Sequence, residues 1–201
     1  MKIVPDDLDK RRSHRLFLSI LVPRPIAFIS TVSKNGIFNA APYSFFGGIS
    51  SKPPLLAVSI SQRRGEKKDT LTNIEHTGDF VVNIVTEQLA ERMNIASGDY
   101  PPEISEFDIA RLTPAASDIV RSPRILESPV NMECKLFDEL PVGSTENTLI
   151  LGEVILFHIE DSIYSDGEVD PLKLQPVGRL GVNRYMRICD IFEMVRPQIK
   201  R

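Results

Sequence analysis

The run SISQRRGEKKDTL, residues 59–71, gathers groups that bind a phosphate monoester. Ser59 and Ser61 fall on one face of a strand end, because side chains alternate along a strand. Arg63, Arg64, Lys67 and Lys68 supply positive charge, and Thr70 stands where a helix begins, with free amides and the positive end of the helix dipole. Asp69 repels an anion, so its expected task is to cap that helix with its side chain. Taken alone, a charge run between a strand and a helix reads first as a solvated connection.

A second stretch, IFNAAPYSFFGGISSKPP at residues 37–54, changes the balance. It opens as a strand, then sets Pro42, the aromatic run Tyr43-Ser44-Phe45-Phe46 and Gly47-Gly48 where a strand should continue. Proline removes a ladder donor and glycine adds nothing to packing. The strand is therefore expected to stop here and turn its backbone toward a flat ligand, with the glycines permitting close approach. If strand 37–42 lies beside strand 55–61, the aromatic loop and the basic loop emerge together. A planar heterocycle with a phosphate tail satisfies both.

The elements that must position these groups follow from hydrophobic period and punctuation. A helix is expected after Asp6 or Asp7, stopped by Pro23 and Pro25. Strands 26–32 and 37–42 should pair about Asn35-Gly36, read as a type I′ turn with both residues at positive φ. LLAVSIS and FVVNIV are further strands; between them a short helix carries Leu71 and Ile74 inward and ends at Gly78. EQLAERMN is a second short helix, with Leu89 and Met93 on one face. Residues 97–129 read as a long surface excursion anchored by Phe107 and Leu112. VNMECKLFDEL and NTLILGEVILFHIED are strands, Gly152 marking a bulge or bend and His158 a packing position. Short strands with tight turns and a few inserted helices make a mainly β, antiparallel barrel.

Composition bounds the rest. A chain of 201 residues fills one core, so residues 1–201 read as a single domain. A net charge of −3 gives no global attraction for a nucleic-acid polymer or an anionic membrane. No apolar run approaches the ~20 residues of a spanning helix, and the N-terminus has no signal pattern, so a soluble, cytoplasmic protein is expected. Cys134 and Cys189 sit in apolar, strand-like contexts and read as buried free thiols. His14, His76 and His158 show no zinc spacing, and no protein metal site is expected. Walker and GxGxxG loops are absent.

The segments RPIAFISTVSKNGIFNAAPYSFFGGISSKPPLLAVSI and KKDTLTNIEHTGDFVVNIV, supported by SPVNMECKL, LILGEV and VGRLGVNRY, resemble the flavin reductase-like, FMN-binding split-barrel proteins. That family includes reductase components of two-component monooxygenases and the carriers called flavoredoxins. The resemblance implies an antiparallel Greek-key split barrel with peripheral helices, a homodimer, and FMN held non-covalently near the subunit interface. By position, Ser44, Phe45 and Phe46 should lie against the flavin ring. Ser59, Ser61, Arg63, Lys68, Asp69 and Thr70 should hold its phosphate, Asp69 through the loop. Asn183 and Tyr185 should close the pocket, and Arg24 is placed at its mouth. Phe45 and Phe46 read equally as core or dimer-interface residues, Asn39 as a local hairpin contact, and Tyr185 as structural. Reductases of the family often carry a histidine before the LILGEV-type strand, where this chain has Glu146-Asn147.

The activity implied is hydride transfer from NADH or NADPH to FMN, then electron transfer to free flavin, oxygen, a monooxygenase or another electron-transfer protein. The flavin carries the chemistry, so no protein acid, base or nucleophile is required. Two alternatives stay open: an FMN carrier reduced by a protein partner, and a cofactor-free barrel dimer.

Overall fold

The computed structural model describes residues 1–63, 65–143 and 147–198. After a short 3-10 turn at Pro5–Asp7 come helix α1 (Lys10–Ile20) and strands β1 (Ala27–Val32), β2 (Phe38–Tyr43), β3 (Phe46–Ser51) and β4 (Pro54–Ser61). Helix α2 (Asp69–Thr77), strand β5 (Asp79–Ile84) and helices α3 (Ala90–Ala96) and α4 (Glu106–Ile109) follow. The two-residue strands β6 (Pro114–Ala115) and β7 (Arg124–Ile125) lead into the long hairpin β8 (Val130–Val142) and β9 (Asn147–Ile159). The chain ends with β10 (Tyr164–Ser165), β11 (Glu168–Val169), α5 (Pro171–Leu174), β12 (Val177–Arg179) and β13 (Tyr185–Arg187).

Seven strands form one antiparallel sheet in the order β2-β1-β5-β8-β9-β4-β3. Its inner face encloses a core that draws Ile29 from β1, Tyr43 from β2, Val58 and Ile60 from β4, Phe80 from β5, and Ile150 and Val154 from β9. The sheet curls so that β2 approaches β4, yet the two edges do not bond, which is the split of a split barrel. The side-by-side arrangement of strands 37–42 and 55–61 therefore holds as this approach and not as pairing: β4 pairs with β3 and β9.

The predicted break at Phe46-Gly47-Gly48 is corrected too. These residues open β3, which pairs with β4 through a register shift between Gly48 and Ser50. Glycines and a bulge are tolerated because β3 is an edge strand, exposed from Gly48 onward. The β1–β2 hairpin forms as expected, but only Gly36 takes positive φ (81°) while Asn35 does not. The loop is longer than a type I′ turn, closing with Ser33 N–H to Ile37 O at 2.9 Å.

Helix α1 starts later than expected because Asp9 is its cap, accepting from the Arg12 amide at 2.8 Å. Helix α2 buries Leu71 and Ile74 and ends at Gly78 with φ 71°. Leu89 and Met93 are buried around α3, and Phe107 and Leu112 pin the excursion to a second core cluster beneath Phe28. The bulge expected at Gly152 falls on its partner strand, where Phe137 is the extra residue between Leu136 and Asp138. Gly152 serves packing instead: a Cβ there would stand 2.4 Å from the Phe80 ring. Cys134 is buried, whereas Cys189 is exposed just beyond β13, outside any strand, which corrects its reading as a buried thiol. Among the described residues no helix is long and apolar enough to cross a membrane.

Candidate functional site

Lys68 precedes α2 and makes no side-chain cap, so the first amides of this nine-residue helix remain available to a ligand. Asp69 is the first helical residue rather than the cap expected of it, because the chain enters the helix one residue earlier. A cavity of about 370 Å³ lies between this helix start and β2, lined by Asn39, Tyr43, Arg63, Lys68, Thr70 and Glu106 among others.

The charges in this cavity are unequally committed. Arg63 is paired with Asp99 and Lys67 with Glu75 at 2.5 Å. Half-buried Lys68 has no carboxylate partner among the described residues and rests 5.4 Å from the Tyr43 ring centroid. Burial, with Arg63 nearby, lowers the Lys68 pKa. Burial raises the pKa values of Asp69 and Glu106, against the opposing effects of Arg63 on the first and hydrogen bonds on the second. A phosphate would push all three groups upward, favouring the charged form of Lys68 and disfavouring that of the carboxylates.

Tyr43 projects into the barrel at 6% exposure, and its hydroxyl is buried without a hydrogen-bond partner. Burial pushes its pKa up, and Thr70 lies near enough to offset this in part, but no hydrogen-bond geometry joins the two. Asn39, read from sequence as a local hairpin contact, instead sits in a buried network. Its Nδ2 donates to Glu106 at 2.9 Å and its Oδ1 accepts from Thr70 at 2.8 Å. Sequence reasoning named Tyr43 only within the aromatic run and missed Glu106; the available signal for the latter was a carboxylate one residue before Phe107, expected to anchor the excursion.

Ser44 and Phe45–Gly48 line a different space, an open groove of about 730 Å³ between β3 and the end of α1. Ser59 reaches this groove too, its amide donating to Phe45 O at 2.9 Å. Ser61 is exposed two residues further along the same face of β4. Phe45 is 38% exposed and meets Phe17 with centroids 6.2 Å apart, so Phe45 is not a core residue; Phe46 packs against the barrel core. Cβ atoms built on Gly47 and Gly48 would meet nothing within 4 Å, leaving room beside this backbone for a flat group.

Asn183 and Tyr185 fall in a third space of about 470 Å³, with Arg179, Asn94 and Ser97. Ser97 also borders the Lys68 cavity, so this closing segment is adjacent to it and not part of its lining. Tyr185 is occupied structurally: Arg179 donates to its hydroxyl and stacks 4.5 Å from its ring centroid. Arg24, expected at the mouth, is buried, and its guanidinium is spread over Leu18 O (2.8 Å), Leu21 O, Leu180 O (2.9 Å) and Ser44 Oγ (3.4 Å). It ties the C-terminal carbonyls of α1 to the groove wall. Arg64 and Glu146 lie outside the described residues.

On the opposite side of the sheet, His158 is more than a packing residue: its Nε2 lies 2.6 Å from fully buried Glu133. Asp118 stands close enough for the three to suggest a metal triad. Both Glu133 oxygens are already engaged, however, accepting from the amides of Asp118 (2.7 Å), Ile119 (2.8 Å) and Val120 (3.0 Å). Burial raises the Glu133 pKa, but these bonds outweigh it and hold the carboxylate below its usual value. The cluster clamps the excursion onto the barrel.

The model of the flavin reductase like domain matches residues 19–173. An uncharacterized protein of Aquifex aeolicus is 42% identical over 189 residues, covering 93% of this chain and 95% of the relative. The crystal structure of nitrilotriacetate monooxygenase component B from Bacillus cereus superposes with a TM-score of 0.94 at 34% identity, covering 96% of this chain and 98% of its own. The 2-nitrobenzoate 2-nitroreductase NbaA of Pseudomonas fluorescens gives 0.90 at 31%, covering 98% and 96%. With the split barrel, the polar cavity at α2 and the glycine-edged groove already in place, the match across most of the chain shows that it belongs to the flavin reductase like family.

Proposed function

We propose that this protein binds FMN and acts as an oxidoreductase, drawing reducing equivalents from NADH or NADPH and delivering them to an acceptor. One observation carries the reading: consecutive residues Tyr43 and Ser44 line different spaces, Tyr43 the polar cavity and Ser44 the open groove. A ligand with a phosphate tail and a flat ring can straddle this point. Lys68 and the first amides of α2 would hold the phosphate. Ser44, Ser59 and the backbone of Phe45–Gly48 would face the ring, with Phe17 and Phe45 forming an apolar rim that excludes water. Arg24 would keep Ser44 and the end of α1 in place from behind.

Bound FMN supplies hydride acceptance and onward electron transfer, for which the chain need provide only position, polarity and access. Component B of a nitrilotriacetate monooxygenase, among the structural neighbours, supports a partner oxygenase as acceptor. The exposed rim of Phe17, Ile20, Phe45 and Ile49 supports a second copy of the chain as its cover, and a homodimer is part of the proposal. A location in the cytoplasm fits a nicotinamide donor.

The test is the visible spectrum of protein reconstituted with FMN and freed of excess, recorded anaerobically before and after NADH and then NADPH. Retained flavin that bleaches with either nucleotide supports the reductase and names its donor. Retained flavin that stays oxidised with both would make the chain a carrier reduced by a protein partner. Failure to bind FMN in titration overturns the proposal.

A further inference from the structure

The hydroxyl groups around the cavity differ in what their protons can do. Glu106 Oε2 already accepts from the Ala40 amide at 3.3 Å, so this oxygen acts as an acceptor and Asn39 turns Nδ2 toward it, as the 2.9 Å contact has it. Asn39 Oδ1 then faces Thr70, whose hydroxyl, 2.8 Å away, has to donate. Thr31 donates to the same oxygen at 3.3 Å and accepts from Asn73 Nδ2 at 3.0 Å, which is consistent with that orientation. The single Thr70 proton is thus committed away from the cavity, and Thr70 turns only lone pairs toward it. A phosphate, itself an acceptor, gains nothing from those.

Tyr43 is in the opposite position. Its hydroxyl is the buried side-chain polar atom left without a partner among the described residues, on a residue that lines the same cavity and carries Lys68 over its ring. Buried donors are rarely left unmet in a native fold, and one beside a flexible cation and an uncapped helix start marks a place for an acceptor. An anion that draws the Lys68 ammonium off the ring uncovers that donor.

We propose that Tyr43 Oη, and not Thr70 Oγ1, is the hydroxyl that donates to the ligand's phosphate, and that Glu106 acts through Asn39 as a positioning residue that holds the Thr70 proton away. The proposal rests on the reading that this cavity takes the phosphate of FMN. It assigns roles to Tyr43 and Glu106, and reverses the donor role expected of Thr70.

The experiment compares affinities for FMN and for riboflavin, which lacks the phosphate, by quenching of flavin fluorescence, with thermal melts of the ligand-free proteins. Tyr43→Phe should weaken FMN binding about tenfold and leave riboflavin unchanged, one lost bond to a charged acceptor. Its ligand-free melting temperature should be no lower than wild type, since the deleted hydroxyl had no partner. Thr70→Val should alter the FMN-to-riboflavin preference less than about twofold. In a Glu106→Gln background, where the side-chain amide can donate to Asn39 and let it turn over, the same Thr70→Val change should become costly to FMN alone. An unchanged preference in Tyr43→Phe, or an equal loss in Thr70→Val, overturns the assignment. If wild type prefers FMN and Lys68→Ala abolishes that preference, such a result sinks the assignment alone. If wild type shows no preference for FMN, the phosphate reading and the assignment fall together.

Discussion

Replacing Lys68 with alanine is the most direct perturbation of the site. The ammonium is half-buried, has no carboxylate partner among the described residues and stands beside the uncapped start of α2. A hydrogen bond to a charged group contributes about 1.5–3 kcal/mol when made in a largely desolvated site. Lys68 keeps part of its solvent, which argues for the lower end, about 1.5–2 kcal/mol. That corresponds to roughly a 10- to 30-fold loss of FMN affinity. Its contact with the Tyr43 ring, worth about 0.5–1 kcal/mol, exists without ligand, so removing Lys68 also lowers the stability of the free protein. Isothermal titration or fluorescence quenching with FMN and riboflavin separates the two effects, because only FMN engages the charge. The pH dependence adds a signature. Burial and Arg63 lower the Lys68 pKa, so its charge is lost at lower pH than for an ordinary lysine. The wild-type preference for FMN should decline as pH rises through that range, while Lys68→Ala shows a flat profile. Equal loss for both flavins, or an undiminished preference in the variant, would refute the phosphate role.

Three further changes probe the frame around the site. Gly152→Ala places a Cβ 2.4 Å from buried Phe80 and should cost about 1–3 kcal/mol, lowering the melting temperature by roughly 3–10 °C; a Phe80→Leu partner change should recover part of that loss. Glu133→Gln leaves one acceptor facing three amides and His158 and should destabilise by about 3–5 kcal/mol. Because the folded Glu133 pKa is depressed, its contribution is present above the ordinary carboxylate value and fades as pH falls through the folded one. Wild type and Glu133→Gln should therefore converge in urea-denaturation stability at low pH. Arg24→Ala frees the carbonyls of Leu18 and Leu21, and limited proteolysis should then cleave within α1 while the barrel resists; unchanged α1 protection would show that Phe17 and its neighbours hold the helix unaided.

What the amino-acid sequence determined by itself was the existence and type of most short-range elements. The β1–β2 hairpin, the helix 69–77 with Leu71 and Ile74 inside, the excursion held by Phe107 and Leu112, and the two long strands β8 and β9 all follow from period and punctuation over a few residues. The basic loop and the aromatic stretch were also legible as binding material, because phosphate and ring recognition use characteristic residue types. Tertiary structure decided how these pieces divide. Sheet order makes Phe46–Ser51 an edge strand, and pleating sends Tyr43 to the cavity and Ser44 to the groove. Arg24 lines the groove and is also a staple, because only the fold brings the carbonyls of Leu18, Leu21 and Leu180 to one guanidinium. Glu106 and Asn39 are 67 positions apart in the chain, and no local pattern encodes their pairing. A hydrogen bond between buried groups depends on where the chain returns after a long loop, which burial of the whole core selects and no window of sequence contains.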